Sequence, residues 1–288
     1  MEVVFEHVSF SYNRGLKSEK KALDNVNLYL QSGLIHGIIG PIGSGKTTLL
    51  ELMNGITKPD CGDITVGNYT LYKRGFNFNK FRYDVGLVYQ LPEKQFFCNT
   101  VGEEVAFSEK IYSSKKRSIK NKVIKALKMV GLDESYISRS PFALNGGEKR
   151  LVAIASVLIS NPKLLILDEP TIGLDNKCKK RLIKIIKKLK ERYSKTIIIV
   201  THDVDMLYEM VDNVVVLNNG CVVKEGPKID VFADTKFLKE NNTPIPSIIK
   251  FERLFYDKSG IDLGYRKNIN DLIRGIVSVY KEDGDYDE

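Results

Sequence analysis

The stretch that decides the fold is Leu34–Thr47, which reads LIHGIIGPIGSGKT. Its apolar first part, Leu34–Ile39, predicts a buried strand, and a glycine-rich turn of the pattern G-x-x-x-x-G-K-[ST] follows. Thr47–Met53 then has the pattern of a helix. Glycines let consecutive backbone N–H groups curl around an anion, and the N-terminus of the helix adds a favourable dipole. The stretch therefore predicts a phosphate-binding loop between a strand and a helix.

The loop also has the side chains that a nucleoside triphosphate and its metal ion require. The Lys46 ammonium can reach the β- and γ-phosphates, and the Thr47 hydroxyl can coordinate Mg²⁺. We therefore predict a nucleoside-triphosphate site. The expected contacts are Gly40, Pro41, Gly43, Ser44, Gly45, Lys46, Thr47 and Thr48.

A second apolar run ends in two carboxylates, as the catalytic half of such a site should. Leu164–Leu167 is followed directly by Asp168 and Glu169. We expect Asp168 to hold Mg²⁺ through water, and Glu169 to polarise the attacking water as a general base. An apolar strand that ends in Asp-Glu is common by itself. Together with the phosphate-binding loop it predicts a nucleoside triphosphatase.

The rest of the pattern indicates an α/β fold with a parallel-sheet core. Leu164–Leu167 and Ile197–Val200 are continuously apolar and are separated by a basic helix, which is typical of strands buried on both faces of a parallel sheet. The N-terminal segments Glu2–Tyr12 and Leu23–Leu30 are strand-like, and Val214–Val223 predicts a hairpin around an Asn-Gly turn. Beyond about residue 244 the pattern changes to short helical pieces and an acidic end.

Composition excludes several classes of protein. The 288 residues are 43% hydrophobic and 28% charged, which is ordinary for a globular chain and excludes disordered and collagen-like classes. No apolar stretch approaches the ~20 residues that a membrane-spanning helix needs, and the N-terminus lacks the features of a signal peptide. The four cysteines are scattered, which gives a zinc site little support and fits a reducing compartment. A cytosolic chain is expected.

The net charge of +8 leaves three interpretations open. Much of the positive charge lies in Lys115–Lys128 and Lys177–Arg192, where lysines cover one face of amphipathic helices, so solvated helix faces are the first interpretation. The second interpretation is that some of the excess positive charge favours binding to the anionic inner leaflet of a membrane. The third interpretation is binding to nucleic acid.

Further motifs precede, separate and follow the phosphate-binding loop and the Asp168-Glu169 strand. Leu144–Glu148 reads LNGGE, similar to an L-S-G-G-Q signature that opens a helix, and Gln90 ends a strand as a Q-loop glutamine does. Gly173–Asp175 is similar to a D-loop, His202 to a switch histidine, and Tyr12 to an aromatic residue that stacks on adenine. With these motifs, residues 2–232 resemble the ATP-binding-cassette (ABC) ATPases.

The resemblance implies a P-loop NTPase of ABC type, with an N-terminal antiparallel β subdomain and a helical subdomain at about residues 91–160. It assigns ATP and Mg²⁺ as cofactors and Asp175 to the D-loop. Gln90 would touch Mg²⁺ and sense the γ-phosphate, and His202 would position the water. Two cassettes would bind head to tail, each ATP lying between one phosphate loop and the other cassette's signature. The implied signature contacts are Asn145, Gly146, Gly147 and Glu148.

The signature departs from the family pattern, because Asn145 replaces a serine and Glu148 replaces a glutamine. An amide can still donate to a phosphate oxygen, but it is bulkier than a hydroxyl, and a carboxylate adds negative charge near the triphosphate. From these departures we hypothesise a heterodimer with two unequal ATP sites.

One segment narrows the resemblance to energy-coupling-factor (ECF) transporter ATPases. Tyr89–Phe97 reads YQLPEKQFF, similar to the stretch that contacts the transmembrane scaffold in that group, so Gln95, Phe96 and Phe97 are the expected coupling surface. The segment between the phosphate loop and the signature holds no heptad run, unlike DNA-repair relatives, and only one cassette is present, unlike translation-associated relatives. Residues 233–288 would form a small C-terminal extension with an acidic tail that helps to hold two ATPases together.

The sequence therefore predicts an ATP-hydrolysing subunit of an ECF-type importer for a vitamin or a metal ion. Its expected partners are a second ABC ATPase, a transmembrane scaffold subunit and a membrane substrate-capture subunit, at the cytoplasmic face of the membrane. The alternative is an ATPase of another ABC importer. A nucleic-acid-associated ABC ATPase is the remaining alternative and is not favoured, so no nucleic-acid partner is expected.

Overall fold

The computed structural model describes residues 1–112 and 119–282. The strands are β1 (Val3–Tyr12), β2 (Lys20–Leu30), β3 (Ile35–Ile39), β4 (Cys61–Val66), β5 (Tyr69–Thr70), β6 (Val85–Val88), β7 (Leu164–Asp168), β8 (Thr196–Val200), β9 (Asn213–Asn218) and β10 (Cys221–Pro227). The helices are α1 (Lys46–Met53), α2 (Phe78–Asp84), α3 (Val101–Tyr112), α4 (Ile119–Met129), α5 (Gly146–Leu158), α6 (Asn176–Tyr193), α7 (Val204–Met210), α8 (Lys228–Ala233), α9 (Thr235–Glu240), α10 (Ser247–Ser259) and α11 (Ile269–Glu282).

Within these described residues the strands form two sheets. The larger sheet has the order β10-β9-β3-β8-β7-β6, in which β9, β3, β8, β7 and β6 run parallel and β10 closes one edge as an antiparallel strand. The smaller sheet is antiparallel, with the order β2-β1-β4-β5. The predicted α/β class with a parallel core and an N-terminal antiparallel subdomain is confirmed.

The parallel sheet is buried on both faces, which explains its continuously apolar strands. In β7, Leu165 and Leu167 pack in a core cluster with α4, α5, α6 and α7, whereas Leu164 and Ile166 pack with α1 and the antiparallel sheet. Successive side chains of a strand point to opposite faces, so both sets must be apolar. The carboxyl ends of β3, β7 and β8 therefore lie at one edge of a fully packed sheet.

The helical region consists of α3, α4 and α5, which contact one another. A buried carboxylate in this region, Glu109 on α3, has partners on two other helices. The Lys122 ammonium on α4 forms an ion pair with Glu109, and the Tyr83 hydroxyl on α2 donates to the same carboxylate at 3.3 Å. A buried carboxylate needs such partners because desolvation penalises its charge.

The C-terminal helices are attached to α7. The Asp205 carboxylate on α7 accepts the backbone N–H of Ser247 at 2.6 Å and its hydroxyl at 3.0 Å, at the start of α10. The Tyr208 hydroxyl on α7 donates to the Arg266 carbonyl oxygen at 2.8 Å. Because α7 begins two residues after His202, these bonds connect the C-terminal helices to the segment that follows the predicted switch histidine.

Some predicted boundaries differ from the structure. Helix α2 was not predicted, because its aromatic and basic residues obscure the apolar period, although Asn77 caps it by accepting the Lys80 N–H. The C-terminal helices α10 and α11 are longer than the expected short pieces. The hairpin between β9 and β10 is confirmed, with Asn219 at φ 48° and Gly220 at φ 77°.

The predicted division of the chain is not decided by these boundaries. The boundary after residue 232 falls near the end of α8, whose Val231 and Phe232 are buried in the core, and the division stays a prediction. Residues 115–118 of the expected basic helix and residues 283–288 of the acidic tail lie outside the described residues. Among the described helices, none combines the length and apolar character that crossing a bilayer would require.

Candidate nucleotide site

The phosphate-binding loop joins the carboxyl end of β3 to the start of α1, as predicted. Two of its glycines cannot carry a side chain. Gly40 has a φ of 148°, and a Cβ there would lie 1.9 Å from the Leu217 carbonyl oxygen. Gly45 has a φ of 103°, and its Cβ would lie 2.6 Å from the Ala22 carbonyl oxygen. The close approach of β9 and β2 therefore leaves room only for glycine at these two positions, and it restricts the loop to its positive-φ conformation.

Lys46 is buried at the start of α1. Its ammonium donates to the carbonyl oxygens of Gly40 at 2.9 Å and Pro41 at 2.8 Å, so the lysine lies across its own loop. Burial lowers the pKa of Lys46, and the nearby carboxylates Glu169 and Asp168 oppose this shift. Lys46 therefore adds a positive charge to the cleft that the loop lines.

Asp168 and Glu169 are both buried at the end of β7. Burial raises the pKa of Asp168 to about 6, the Glu169 charge adds to this rise, and the Lys46 ammonium opposes it. A divalent cation would offset such concentrated negative charge. Hydroxyl, carboxylate and amide oxygens are hard ligands of the kind that Mg²⁺ prefers, so Thr47, Asp168 and Gln90, which line one cleft, fit this ion.

Glu169 lies against His202, the predicted switch histidine. Its backbone has a φ of 47°, unusual for a residue other than glycine, and its N–H donates to the Val200 carbonyl oxygen at 2.8 Å. The Glu169 carboxylate accepts the backbone N–H of His202 at 3.0 Å, and the His202 Nε2 lies 3.5 Å from the same oxygen. The hydrogen bond to β8 therefore holds the strained backbone of Glu169. In this conformation the carboxylate, which follows the end of β7, lies next to the imidazole of His202.

One cleft with a volume of about 280 Å³ is lined by residues of the phosphate loop, by both carboxylates and by Gln90 and His202. Tyr12 reaches it from the end of β1, where its hydroxyl hydrogen-bonds with the Thr48 hydroxyl at 2.9 Å. The predicted residues that line the cleft are Tyr12, Gly43, Gly45, Lys46, Thr47, Thr48, Gln90, Asp168, Glu169 and His202.

Sequence reasoning missed Lys20, Ala22, Ile42 and Val200, which also line the cleft. Lys20 pairs directly with Tyr12 across β1 and β2, so the strand pairing could have revealed it. Ile42 is part of the phosphate loop, and its apolar side chain gives no sequence signal for a contact with a nucleotide.

The remaining predicted residues lie outside this cleft. Gly40, Pro41 and Ser44 belong to the loop itself, and Asp175 caps α6 by accepting the Cys178 N–H at 2.7 Å. The signature begins α5, and the predicted coupling surface precedes α3. The structure therefore brings the phosphate loop, both carboxylates, Gln90 and His202 together in one chain, but it does not bring the signature to them.

The signature forms a reciprocal cap at the start of α5. The Asn145 side-chain oxygen accepts the Glu148 N–H at 2.9 Å, and the Glu148 carboxylate accepts the Asn145 N–H at 3.1 Å. The second carboxylate oxygen of Glu148 accepts the Tyr136 hydroxyl at 2.6 Å. This hydroxyl is the main reason that the pKa of Glu148 is lowered. Both oxygens of the unusual glutamate are thus engaged within the cassette, while Asn145 and Gly146 are exposed.

The predicted coupling surface is partly exposed. The Phe97 ring is 59% exposed and contacts Phe107 edge to face at a centroid distance of 4.5 Å. Phe96 packs against the core, and Gln95 is exposed. The buried Glu104 carboxylate holds this segment by accepting the Phe97 N–H at 3.1 Å.

Comparison with known proteins agrees with this geometry. The ABC transporter family matches residues 23–172. The energy-coupling factor transporter ATP-binding protein EcfA2 of Enterococcus faecalis is 39% identical over 253 residues, which are 87% of this chain and 88% of the relative. The energy-coupling factor transporter ATP-binding protein EcfA3 of Oenococcus oeni is 36% identical over 289 residues, covering 99% of each chain.

Solved structures are similar over most of their length. CbiO1 of Clostridium perfringens, described as part of the ABC transporter complex cbiONQ, superimposes with a TM-score of 0.74 at 34% identity, covering 87% of this chain and 98% of that one. The ATP-binding cassette MJ0796, in a dimeric state bound to ADP and phosphate, gives a TM-score of 0.69 at 29% identity, covering 78% of this chain and 98% of that one. The resemblance drawn from the motifs is confirmed. This chain is an ATPase of the ABC transporter family, among the energy-coupling factor transporter ATP-binding proteins.

Proposed function

We propose that this chain binds and hydrolyses ATP in the cleft above to energise an ECF-type importer of a vitamin or a metal ion. The observation that carries the proposal is the position of Gln90. Gln90 lines the cleft with Asp168 and Glu169, and the segment that leads to the exposed Phe97 begins directly after it. A change at the γ-phosphate can therefore move a docking surface a few residues away.

Within the cleft each group has a distinct role in the proposal. The loop amides and Lys46 hold the phosphates, and Thr47, Gln90 and Asp168 hold Mg²⁺, which stabilises charge on the transferred phosphoryl group. Glu169 accepts a proton from the attacking water, and His202 contacts the γ-phosphate. Tyr12 stacks on the adenine, since its ring is partly exposed at the mouth of the cleft.

The proposed functional unit is a head-to-tail pair of cassettes. The signature at Asn145–Glu148 is exposed and lies outside this chain's own cleft, so it is available to complete the site of a second ABC ATPase. The C-terminal helices offer a further contact. Ile269, Ile273 and Val277 are exposed along one face of α11 at a spacing of four residues. We place the second ATPase on both surfaces.

The signature provides a test of unequal ATP sites. Asn145→Ser keeps the cap, because a serine hydroxyl can also accept the Glu148 N–H, and brings a shorter donor to the γ-phosphate. We expect turnover of the assembled complex to rise about 5-fold, the equivalent of about 1 kcal/mol for one improved hydrogen bond. Steady-state ATPase assays would measure it.

Asn145→Ala is the matched control for that test. It removes both the cap and the donor, so its turnover should fall. If Asn145→Ser leaves the rate unchanged or lowers it, the hypothesis of a weakened signature is wrong.

The coupling surface is tested by Phe97→Ala. We expect the variant to keep ATP binding and to bind the membrane scaffold about 30-fold more weakly, the loss of about 2 kcal/mol typical of an interface aromatic. Tyr29→Ala is the control, because Tyr29 is an equally exposed aromatic residue, 58% exposed, on β2. Equal scaffold affinity for both variants would favour the alternative, another ABC importer that docks elsewhere.

Co-purification from membranes tests the proposal as a whole. The tagged chain should recover a membrane scaffold, a second single-cassette ATPase and a compact substrate-capture membrane protein, and the last of these would identify the solute. Such an assembly would also place the chain at the cytoplasmic face of the membrane. Recovery of a conventional permease with a separate binding protein would contradict the ECF assignment and leave the ATP site unaffected.

A further inference from the structure

The Arg150 side chain forms hydrogen bonds with two segments that belong to motifs other than its own. It lies on α5 two residues after Glu148 and is 2% exposed. One terminal nitrogen of its guanidinium donates to the Gln90 carbonyl oxygen at 2.5 Å and to the Tyr89 carbonyl oxygen at 3.4 Å. The other donates to the Ile172 carbonyl oxygen at 3.2 Å. One side chain therefore links the signature helix, the segment of Gln90 and the turn after Glu169.

The bonds from Arg150 lie close to groups that face the cleft. Gln90 is one of the residues that line the cleft, and its carbonyl oxygen accepts a hydrogen bond from the guanidinium. Ile172 belongs to a turn in which its N–H donates to the Glu169 carbonyl oxygen at 3.3 Å. A planar guanidinium can hold two carbonyl groups in a fixed relative position, because its donors form a rigid fork. The bond to Ile172 thus fixes the guanidinium, and the guanidinium in turn fixes the position of the Gln90 carbonyl group.

We propose that Arg150 is a positioning residue that holds the backbone of Gln90 so that its side chain faces the nucleotide, and that couples this segment to the signature helix. The inference rests on the proposed ATP site. Arg150 does not line the cleft, so it acts through Gln90. A displaced Gln90 would misplace the metal and the γ-phosphate contact, whereas the phosphate loop and Lys46 would stay in place. The rate of hydrolysis depends on this geometry far more than the affinity for ATP does.

The test compares Arg150→Gln with a buried cation outside the site. Lys195 is 3% exposed, and its ammonium donates to the Asn161 side-chain oxygen at 2.9 Å and to the Pro162 carbonyl oxygen, at the amino end of β8 away from the cleft. In the assembled complex, Arg150→Gln should lower kcat about 30-fold with ATP affinity within about 3-fold, as expected for a misplaced group in the transition state. Lys195→Gln should keep the kcat of the wild type per folded molecule.

A double-variant cycle separates positioning from general damage. Since Arg150 acts through Gln90, adding Arg150→Gln to Gln90→Ala should change kcat less than about 2-fold further. Arg150→Lys keeps the buried charge but lacks the planar fork, so alone it should lower kcat by less than Arg150→Gln does. Combined with Gln90→Ala, it should again cause little further loss of kcat. This variant replaces Arg150→Gln in the cycle if Arg150→Gln does not fold.

Two outcomes would overturn the inference. One is a kcat for Arg150→Gln, or for Arg150→Lys where that variant is used, that matches Lys195→Gln at equal folded fraction. The other is a double variant whose fold-loss in kcat equals the product of the fold-losses of the Arg150 variant and of Gln90→Ala. Failure of the proposed ATP site is distinguishable, because the wild-type chain would then not bind a fluorescent ATP analogue at all.

Discussion

Glu169→Gln should leave ATP binding intact and lower hydrolysis by about 100-fold or more, within the usual range for loss of a general base. The substitution keeps the size of the side chain, and the glutamine oxygen can still accept the His202 N–H that Glu169 accepts at 3.0 Å. It removes the proton acceptor and little else. ATP would then bind without being consumed, so a pair of cassettes should accumulate in the closed form. ATPase rates and size-exclusion chromatography with ATP measure the two effects.

The control for this variant is Glu191→Gln, an exposed carboxylate on α6 away from the cleft. It should hydrolyse ATP at the rate of the wild type. Retained turnover in Glu169→Gln would remove Glu169 as the base. Loss of ATP binding would instead mean that the substitution disturbs the positive-φ backbone at Glu169, and the test would then move to Glu169→Asp.

The strand-loop-helix order could be predicted because each part has a local signal. Each signal is visible within a few residues: the apolar run of β3, the glycines of the loop and the helical period of α1. Only a few folds are compatible with these signals in this order. The carboxyl ends of parallel strands meet at one edge, so Glu169 and His202 were expected near the loop, and the structure places them there.

Contacts between distant segments could not be predicted, because sequence periodicity contains no information about them. Glu148 stood out in the sequence as an extra charge near the triphosphate, but the Tyr136 hydroxyl and the Asn145 N–H engage both of its oxygens. The bonds from Arg150 to Tyr89 and Gln90 span 61 and 60 residues in sequence. Such side-chain contacts depend on tertiary packing, and the motifs themselves give no sign of them.

Lys46→Ala should weaken ATP binding itself, by about 100-fold. The Lys46 ammonium is the cation of the phosphate loop, and a hydrogen bond to a charged group contributes about 1.5–3 kcal/mol, so the loss of its contacts with two phosphates removes about 3 kcal/mol of binding energy. Lys46→Arg should not restore binding, because a planar fork is larger than the compact ammonium that fits above the carbonyl oxygens of Gly40 and Pro41.

Titration with a fluorescent ATP analogue checks this loss, and Lys20→Ala is the informative control. Both lysines line the cleft, but Lys20 is an exposed residue on β2 whereas Lys46 is buried in the loop. If positive charge in the cleft were sufficient, the two variants would lose similar affinity. If the loop geometry decides, Lys20→Ala should lose no more than about 5-fold, the cost of about 1 kcal/mol that an exposed ion pair can contribute. Unaltered ATP affinity in Lys46→Ala would contradict the phosphate-loop assignment, on which every catalytic role proposed for Asp168, Glu169 and His202 depends.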